Sequence, residues 1–273
     1  MRILYVGDVV GRAGRSAVLA HAAQLRARLR LDALVVNGEN AAGGYGLTPA
    51  ILTELFAAGV DLVTTGNHVF DQKELVGTIG GEPRLLRPLN MAPGTPGRGA
   101  GEVRTARGRR LLVLQVMGRL FMGLWDDPFR ALEAELGRQR LAGTADAILV
   151  DVHAEATSEK MALAHFLDGR VSLVAGTHTH VPTADAQILP GGTAYITDVG
   201  MTGDYDSVIG MDKEGSIRRW RSDLPAKRLE PAGGEATLCA VFVETDEATG
   251  LARRVAPVRL GGRLAPAWPE GLD

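Results

Sequence analysis

Eight side chains able to bind metal ions or move protons fall in five short segments, and each segment closes or directly follows an apolar, strand-like run. Asp8 follows ILYV, Glu39 and Asn40 follow ALVVN, and Asn67 and His68 follow DLVTT. His153 closes AILVDVH, and His178 and His180 follow VSLVA. In an α/β sheet, residues just past the carboxyl ends of the strands gather along one edge, where ligand crevices form. Two carboxylates, two Asn and four His would therefore converge from distant parts of the chain. Mixed O and N donors suit two first-row transition ions (Fe or Mn, with Zn and Co as alternatives) rather than one structural zinc or an all-oxygen Mg or Ca cage. The pattern predicts a dinuclear metal hydrolase.

Each motif has a plainer reading when taken alone. Asp8, in G-D-V-V-G, could equally cap a helix. That turn matches neither G-x-G-x-x-G nor G-x-x-x-x-G-K-[ST], and an Asp there repels phosphate unless a cation intervenes. Glu39 and Asn40 are adjacent, and the two oxygens of Glu39 could bridge two cations; turn chemistry is the alternative for such a pair in isolation. His178 and His180, two residues apart, are expected on one side of an extended segment. His68 follows Asn67 and can reach a leaving-group oxygen, with Asp71 as the neighbouring carboxylate that could keep it protonated. Asp151 and Asp198 could orient ligands or act as caps. His21 and His165 fall in helical stretches and read as structural or surface residues.

The elements that must position these groups alternate. RILYV, ALVVN and DLVTT read as strands buried on both faces. Between them a helix is expected over residues 16–30, with Val18, Leu19, Ala22, Leu25 and Leu29 on one stripe, and a second from Thr48 (N-cap) and Pro49 through Phe56. A short helix is expected over 72–79. The alternation predicts a mainly parallel sheet with helices on both faces. From 81 to 108, Pro83, Pro88, Pro93 and Pro96 mark a long irregular loop, the kind that covers active sites. Strands RLLVLQV, AILVDVH and VSLVA resume the pattern, with helices near 128–136 and 158–166. After Pro190, TAYIT, ATLCAVFVE and ARRVAPVRL read as antiparallel strands of a second, smaller sheet. We expect one domain spanning residues 1–273.

Composition excludes several classes. With 45% hydrophobic and 23% charged residues, the chain is globular rather than disordered. A net charge of −2 gives no footprint for duplex nucleic acid or anionic membranes, and the Arg-rich stretches 26–30, 104–110 and 253–259 read as solvated faces. RNA remains open as a substrate through its ends or loops, since single strands can be bound by stacking. Charge does not support it: aromatic residues make up only 5% and clustered basic and aromatic residues are not found. The single cysteine, Cys239, excludes a cysteine-rich zinc site and lies in an apolar run that suggests an inert thiol. No charged-then-apolar leader precedes Arg2, and no apolar run approaches the roughly 18 residues of a membrane span, so a cytoplasmic location is expected.

In order, a strand-end Asp, an acidic loop, G-N-H, a lone His and G-x-H-x-H resemble the calcineurin-like metallophosphoesterase superfamily. Val10 stands where most members have a His, and Gly38-Glu39-Asn40 replaces the usual G-D-x-x-D. That replacement, with NGENAAGGYGLT, TGNHVFD, DVHAEATSEK, GTHTHVPTAD and ITDVGMTG, is similar to the YmdB-like branch over nearly the whole chain. The resemblance implies a four-layer α/β/β/α sandwich with two mixed sheets and a dinuclear site at the strand carboxyl edge. It implies one metal held by Asp8, Glu39, Asn40 and His180, and a second by Glu39, Asn67, His153 and His178, with Glu39 bridging. It also implies His68 as proton donor and 2′,3′-cyclic-nucleotide phosphodiesterase activity.

Charge supports a phosphate ester as substrate. Two divalent ions set against two carboxylates leave a positive site, which a shared hydroxide and a phosphodiester monoanion would neutralise. Attack in line by that hydroxide, with His68 protonating the leaving oxygen, is the expected mechanism. A phosphomonoesterase or nucleotidase, and a metal-binding regulatory protein without turnover, are the alternatives. The sequence is silent on oligomeric state, and a homo-oligomer is compatible with it.

Overall fold

The run RILYV forms β1 (Arg2–Val6), in which alternate residues face opposite sides: Ile3 and Tyr5 one way, Leu4 and Val6 the other. α1 (Gly11–Leu29), β2 (Ala33–Asn37), α2 (Pro49–Ala57), β3 (Leu62–Thr64) and a single-turn α3 (Lys73–Val76) follow. β1, β2 and β3 pair in parallel, in that order. The chain then builds a second sheet from β4 (Ala100–Arg104), β5 (Arg110–Met117), β6 (Ala147–His153), β7 (Leu173–Thr177), β8 (Gln187–Ile188) and β9 (Ala194–Ile196). α4 (Pro128–Leu136) and α5 (Thr157–Leu167) serve as its crossovers. β10 (Gly203–Asp204), α6 (Lys213–Arg221), β11 (Ala236–Thr245) and β12 (Ala252–Leu260) complete the chain, with the three strands joining the first sheet. The computed structural model describes residues 1–223 and 227–272.

The two sheets stack face to face. Ile3, Tyr5, Val35 and Val241 of the first sheet share one buried layer with Val113 and Leu149 of the second. Outside the first sheet, Val18 and Leu25 of α1 and Leu55 of α2 cover Leu4 and Val36. Outside the second, Leu132 of α4 and Leu163 of α5 cover Leu114 and Val150. The architecture is an α/β/β/α sandwich with two mixed sheets. Each sheet therefore carries helices on one face only, not on both as the alternation suggested, because its inner face is taken by the other sheet.

The inter-sheet layer changes character along the strands. On β6 the inward positions read Ala147, Leu149, Asp151 and His153, and on β2 they read Ala33, Val35 and Asn37. Burial is apolar at the amino ends and polar at the carboxyl ends, which is where a binding site must open. Register puts Gln115 beside Asp151 and His153 beside Thr177 across neighbouring strands.

Several expectations are corrected. β11 lies antiparallel to β1 in the first sheet, and β12 pairs outside it, so these strands do not make a separate small sheet. β9 pairs in parallel with β7. Pairing across hundreds of residues leaves no local trace in sequence. Within 81–108, Ala100–Arg104 is an edge strand; among its residues only Val103 is buried, which weakens its alternation. The remaining loop joins the two sheets, since Leu86 N donates to Val63 O and Leu89 N to Gln115 O. α1 begins at Gly11 rather than near Ser16. Gly14 needs its missing side chain there, because a Cβ would lie 2.1 Å from Thr202 O. The Thr48 cap forms as expected, its hydroxyl accepting from Ile51 N at 3.3 Å. Among the described residues no helix is long and apolar enough to cross a membrane.

Leu149 is fully buried between the sheets. Leu149→Ala is expected to cost about 2–5 kcal/mol of stability, measured as a lower urea midpoint with little change in slope.

Candidate metal centre

Seven of the eight expected side chains form one cluster at the carboxyl edge of both sheets. The first sheet brings Asp8, Glu39, Asn40 and Asn67 on the loops after β1, β2 and β3; the second brings His153, His178 and His180 from the ends of β6 and β7. Donor atoms of Glu39, His153 and His178 lie within 4.8 Å of one another, and so do those of Asp8, Glu39 and His180. Glu39 belongs to both groups. Asn40 Nδ2 lies 2.9 Å from Glu39 Oε1 and 3.1 Å from His180 Nε2, and Asn67 Oδ1 lies 3.0 Å from His153 Nε2. His68 stands at the rim, its backbone N 3.4 Å from Glu39 Oε2.

The cluster is buried and tightly spaced. Asp8 and His153 are fully buried, and Glu39, Asn40 and His180 nearly so. The chain passes through it at Gly66, where a Cβ would sit 2.0 Å from Glu39 Oε2 and 2.5 Å from His153 Nε2. Only glycine allows that approach.

Hydrogen bonds behind the ring nitrogens fix which atoms face the cluster. The Thr177 hydroxyl donates to Asp151 Oδ1 at 2.7 Å, so it accepts from His153 Nδ1 at 2.9 Å and leaves Nε2 facing Glu39. His180 Nδ1 faces the Ile209 carbonyl at 2.8 Å, again directing Nε2 inward. His178 is reversed: its Nε2 lies 3.3 Å from Glu155 Oε2, and its Nδ1 faces His153 Nε2 at 3.1 Å. Such backing is what orients imidazoles toward a metal. Asp151 is itself held by Gln115 Nε2 at 2.8 Å and Asn37 Nδ2 at 3.2 Å.

The H-x-H segment is not the extended one expected. β7 ends at Thr177, and His178 and His180 both have positive φ, at 91° and 64°. Non-glycine residues held there cost of order 1–3 kcal/mol each. The fully buried pair Lys160 and Asp198 holds the segment in place. Asp198 Oδ2 accepts from Lys160 Nζ at 2.9 Å, Thr179 N at 3.1 Å and Thr179 Oγ1 at 2.6 Å.

Electrostatics favours positive charge at the cluster's centre. Burial raises the Asp8 carboxyl to about 6, partly offset by His180 and His153. Burial also opposes the charge of Glu39, yet His153, then His68 and His178, hold it well below the usual carboxylate range. For His153, burial opposes protonation, but Glu39, Asp8 and Asp151 outweigh it and raise the ring to about 9. His178 falls to about 3, through burial and the His153 charge. Glu39 Oε2 and His153 Nε2 lie 3.2 Å apart, so the carboxylate and the ring favour each other's charged forms.

Two observations test whether the residues fit metal ions. Asp8 Oδ1 and Asn40 Oδ1 are buried and have no hydrogen-bond partner, which is costly for oxygen atoms unless a cation meets them. Mixed O and N donors in two groups sharing a carboxylate match the preferences of Fe, Mn, Zn or Co. The donor set fits a pair of divalent ions.

His21 on α1 is partly exposed and His165 on α5 is exposed, both away from the cluster, and Cys239 is a buried free thiol raised to about 11 by burial. Sequence reasoning missed Thr177, Gln115, Lys160 and Glu155 as supports. Thr177 sits inside the G-T-H-T-H motif; for the others only tertiary burial carries the signal.

Thr177→Val removes the hydroxyl between His153 and Asp151 while keeping side-chain shape. Metal affinity is expected to fall about 10–100-fold, read by competition with a chelator for Mn2+. Unchanged affinity would mean that Asp151 has no part in orienting His153.

Comparison with known proteins agrees over nearly the whole length. A family model described as YmdB-like protein matches residues 4–258. The 2′,3′-cyclic-nucleotide 2′-phosphodiesterase of Bacillus subtilis (strain 168) is 47% identical over 255 residues, covering 93% of this chain and 95% of that protein. A crystal structure of a hypothetical protein from Thermus thermophilus superposes with a TM-score of 0.89 at 47% identity, covering 96% of this chain and 100% of that one. A novel phosphatase from Mycoplasma pneumoniae gives a TM-score of 0.88 at 34% identity, covering 96% and 93%. With its Gly38-Glu39-Asn40 loop and its fold accounted for, this chain belongs to the YmdB-like protein family.

Proposed function

We propose that this phosphoric ester hydrolase is a dinuclear metal-dependent phosphodiesterase acting on 2′,3′-cyclic nucleotides or similar small phosphodiesters. The observation that carries the proposal is the pair of donor groups that share Glu39. Asp8, Glu39, Asn40 and His180 would hold one ion, and Glu39, Asn67, His153 and His178 the other, with Fe or Mn as the preferred pair. Bound there, the ions supply Lewis acidity to a phosphoryl oxygen and an acidified water.

The chain's own residues supply the rest. Only Asp8 and Glu39 bring full negative charge among the donors, so the loaded site remains attractive to an anionic phosphodiester. His68 is the proton donor. Its Nδ1 lies 3.0 Å from Asp71 Oδ2, and the Tyr45 ring meets it edge-on with centroids 5.2 Å apart, leaving Nε2 to face the leaving oxygen. Water adds to phosphorus, the ester bond to the 2′ oxygen breaks, and His68 protonates that oxygen to leave a 3′-phosphate. The bond is assigned by likeness to the Bacillus subtilis relative, whose name specifies the 2′ ester.

Hydrolysis of 2′,3′-cyclic AMP with added Mn2+, followed by chromatography, is expected to yield 3′-AMP alone. The phosphatase from Mycoplasma pneumoniae makes a monoesterase the second reading; faster release of phosphate from 3′-AMP than opening of the cyclic ester would favour it. His68→Ala is expected to retain its metals and lose about 10²–10⁴-fold in kcat. Full turnover in that variant would remove His68 from the mechanism.

A further inference from the structure

A cationic cavity of about 830 Å³ lies against α6, and Arg228 on its wall reaches the groups around His68. Arg218 and Arg221 of α6 line it, with Lys227 and Arg228; Asp212 and Glu230 are its acidic members. Asp212 is already engaged as the cap of α6, its Oδ2 accepting from Gly215 N at 2.7 Å. Among the described residues, no carboxylate pairs with Arg218, Arg219, Arg221 or Lys227. Residues 217–228 hold five cationic side chains against one acidic, in a chain whose net charge is −2. Trp220, on the same helix between Arg219 and Arg221, is 85% exposed and lies outside the cavity's lining. Cations free of carboxylate partners, with an exposed indole on the same helix, suit a single-stranded nucleic acid, phosphates on the cations and a base on the ring.

The cavity connects to the site through Arg228. Its guanidinium lies 4.0 Å over the Tyr45 ring and 3.5 Å from Asp71 Oδ2. Asp71 and Tyr45 are the two groups that hold His68. Arg228 thus touches both the cavity and the two groups that hold His68. A mononucleotide cyclic phosphate carries its only phosphate into the metal cluster and leaves Arg218, Arg221 and Lys227 without a partner. An RNA strand ending in a 2′,3′-cyclic phosphate has further phosphates on the 5′ side of its terminal nucleoside.

We propose that this cavity binds the RNA backbone upstream of a terminal 2′,3′-cyclic phosphate, so that the substrate is the 3′ end of an oligoribonucleotide rather than a free cyclic mononucleotide. The proposal rests on the phosphodiesterase reading for its chemistry, but the binding site stands on its own geometry. The reaction is unchanged: water adds to phosphorus as hydroxide and releases its proton to solvent, the bond to the 2′ oxygen breaks, that oxygen takes a proton from His68, and His68 regains one from solvent. An acidic protein or an anionic membrane would meet the same charges, yet neither carries a 2′,3′-cyclic ester with further phosphates along the same strand.

The test compares kcat/KM of the Mn2+-loaded enzyme on an RNA hexamer ending in a 2′,3′-cyclic phosphate with that on 2′,3′-cyclic AMP. The hexamer is expected to be favoured at least tenfold at low salt. Its KM should worsen with salt along a log–log slope of about 1.4–2.1, for two or three phosphates at roughly 0.7 each. Charge reversal by Arg218→Glu with Arg221→Glu should bring the ratio toward one, and the milder Arg218→Gln with Arg221→Gln should lower it partway, guarding against misfolding. Equal kcat/KM in the parent enzyme, or a ratio unmoved by both variants, overturns the proposal. Anisotropy of a labelled hexamer bearing a 3′-phosphate gives a second readout that needs no turnover. If neither ester is hydrolysed but the hexamer binds and the reversal variant loses it, the RNA site stands and the phosphodiesterase reading falls. Polyglutamate competing as well as RNA would assign the cavity to acidic proteins and overturn it.

Discussion

Asp8 and Glu39 carry negative charge at the junction of two sheets, almost wholly out of water, and the rest of the architecture follows from making that arrangement tolerable. An isolated buried carboxylate is too costly to persist. Here it is offset from both sides: His178 N donates to Asp8 Oδ2 at 3.2 Å, Asn40 Nδ2 to Glu39 Oε1 at 2.9 Å, and His153 brings positive charge. The carboxylates come from the first sheet and the imidazoles from the second. Neither sheet can bury its own half alone, so sheet stacking and site assembly are one event.

That dependence explains the polar network beneath the cluster. Gln115 and Asp151 sit side by side on β5 and β6, and both reach across to the first sheet. Gln115 Oε1 accepts from Thr65 N at 3.0 Å and its Nε2 donates to Thr65 O, while Asp151 accepts from Asn37. Hydrophobic packing between sheets is non-directional and tolerates small slides. Directed hydrogen bonds between β2, β3, β5 and β6 do not, and they fix register where a fraction of an ångström decides ligand geometry. Behind them, the Lys160–Asp198 pair holds the strained H-x-H segment.

The sequence was most legible where local pattern and function coincide. Parallel strands buried on both faces read as unbroken apolar runs, so β1, β2 and β6 were located closely, and ligand-type residues at their ends stood out against the apolar background. Thr48 and Pro49 gave away α2 by capping chemistry alone. Sheet membership was not legible: β11 contacts β1 from more than 230 positions away, and nothing in ATLCAVFVE specifies its neighbour. The H-x-H geometry was missed because left-handed backbone at a non-glycine residue is imposed by tertiary bonds. Lys160 was missed because a buried lysine looks like any helical lysine until its partner is in view.

The cationic run Arg218-Arg219-Trp220-Arg221, with Lys227 and Arg228, stands in the sequence but was passed over, because only the whole-chain charge was weighed. A net charge of −2 describes the whole chain, yet charge acts over about a Debye length of roughly 8–10 Å. The arginines of α6 with Lys227 and Arg228 make one such local concentration of positive charge. It reaches the candidate site at Asp71, whose Oδ2 faces both His68 and Arg228. The proton donor thus shares its orienting carboxylate with the cation nearest the cavity. Alignment of His68 and recognition of anions beside it are consequently properties of one small constellation, Tyr45, His68, Asp71 and Arg228, drawn from three separate stretches of chain. Only the fold brings them together, and only local charge, not the sum over the sequence, describes what they attract.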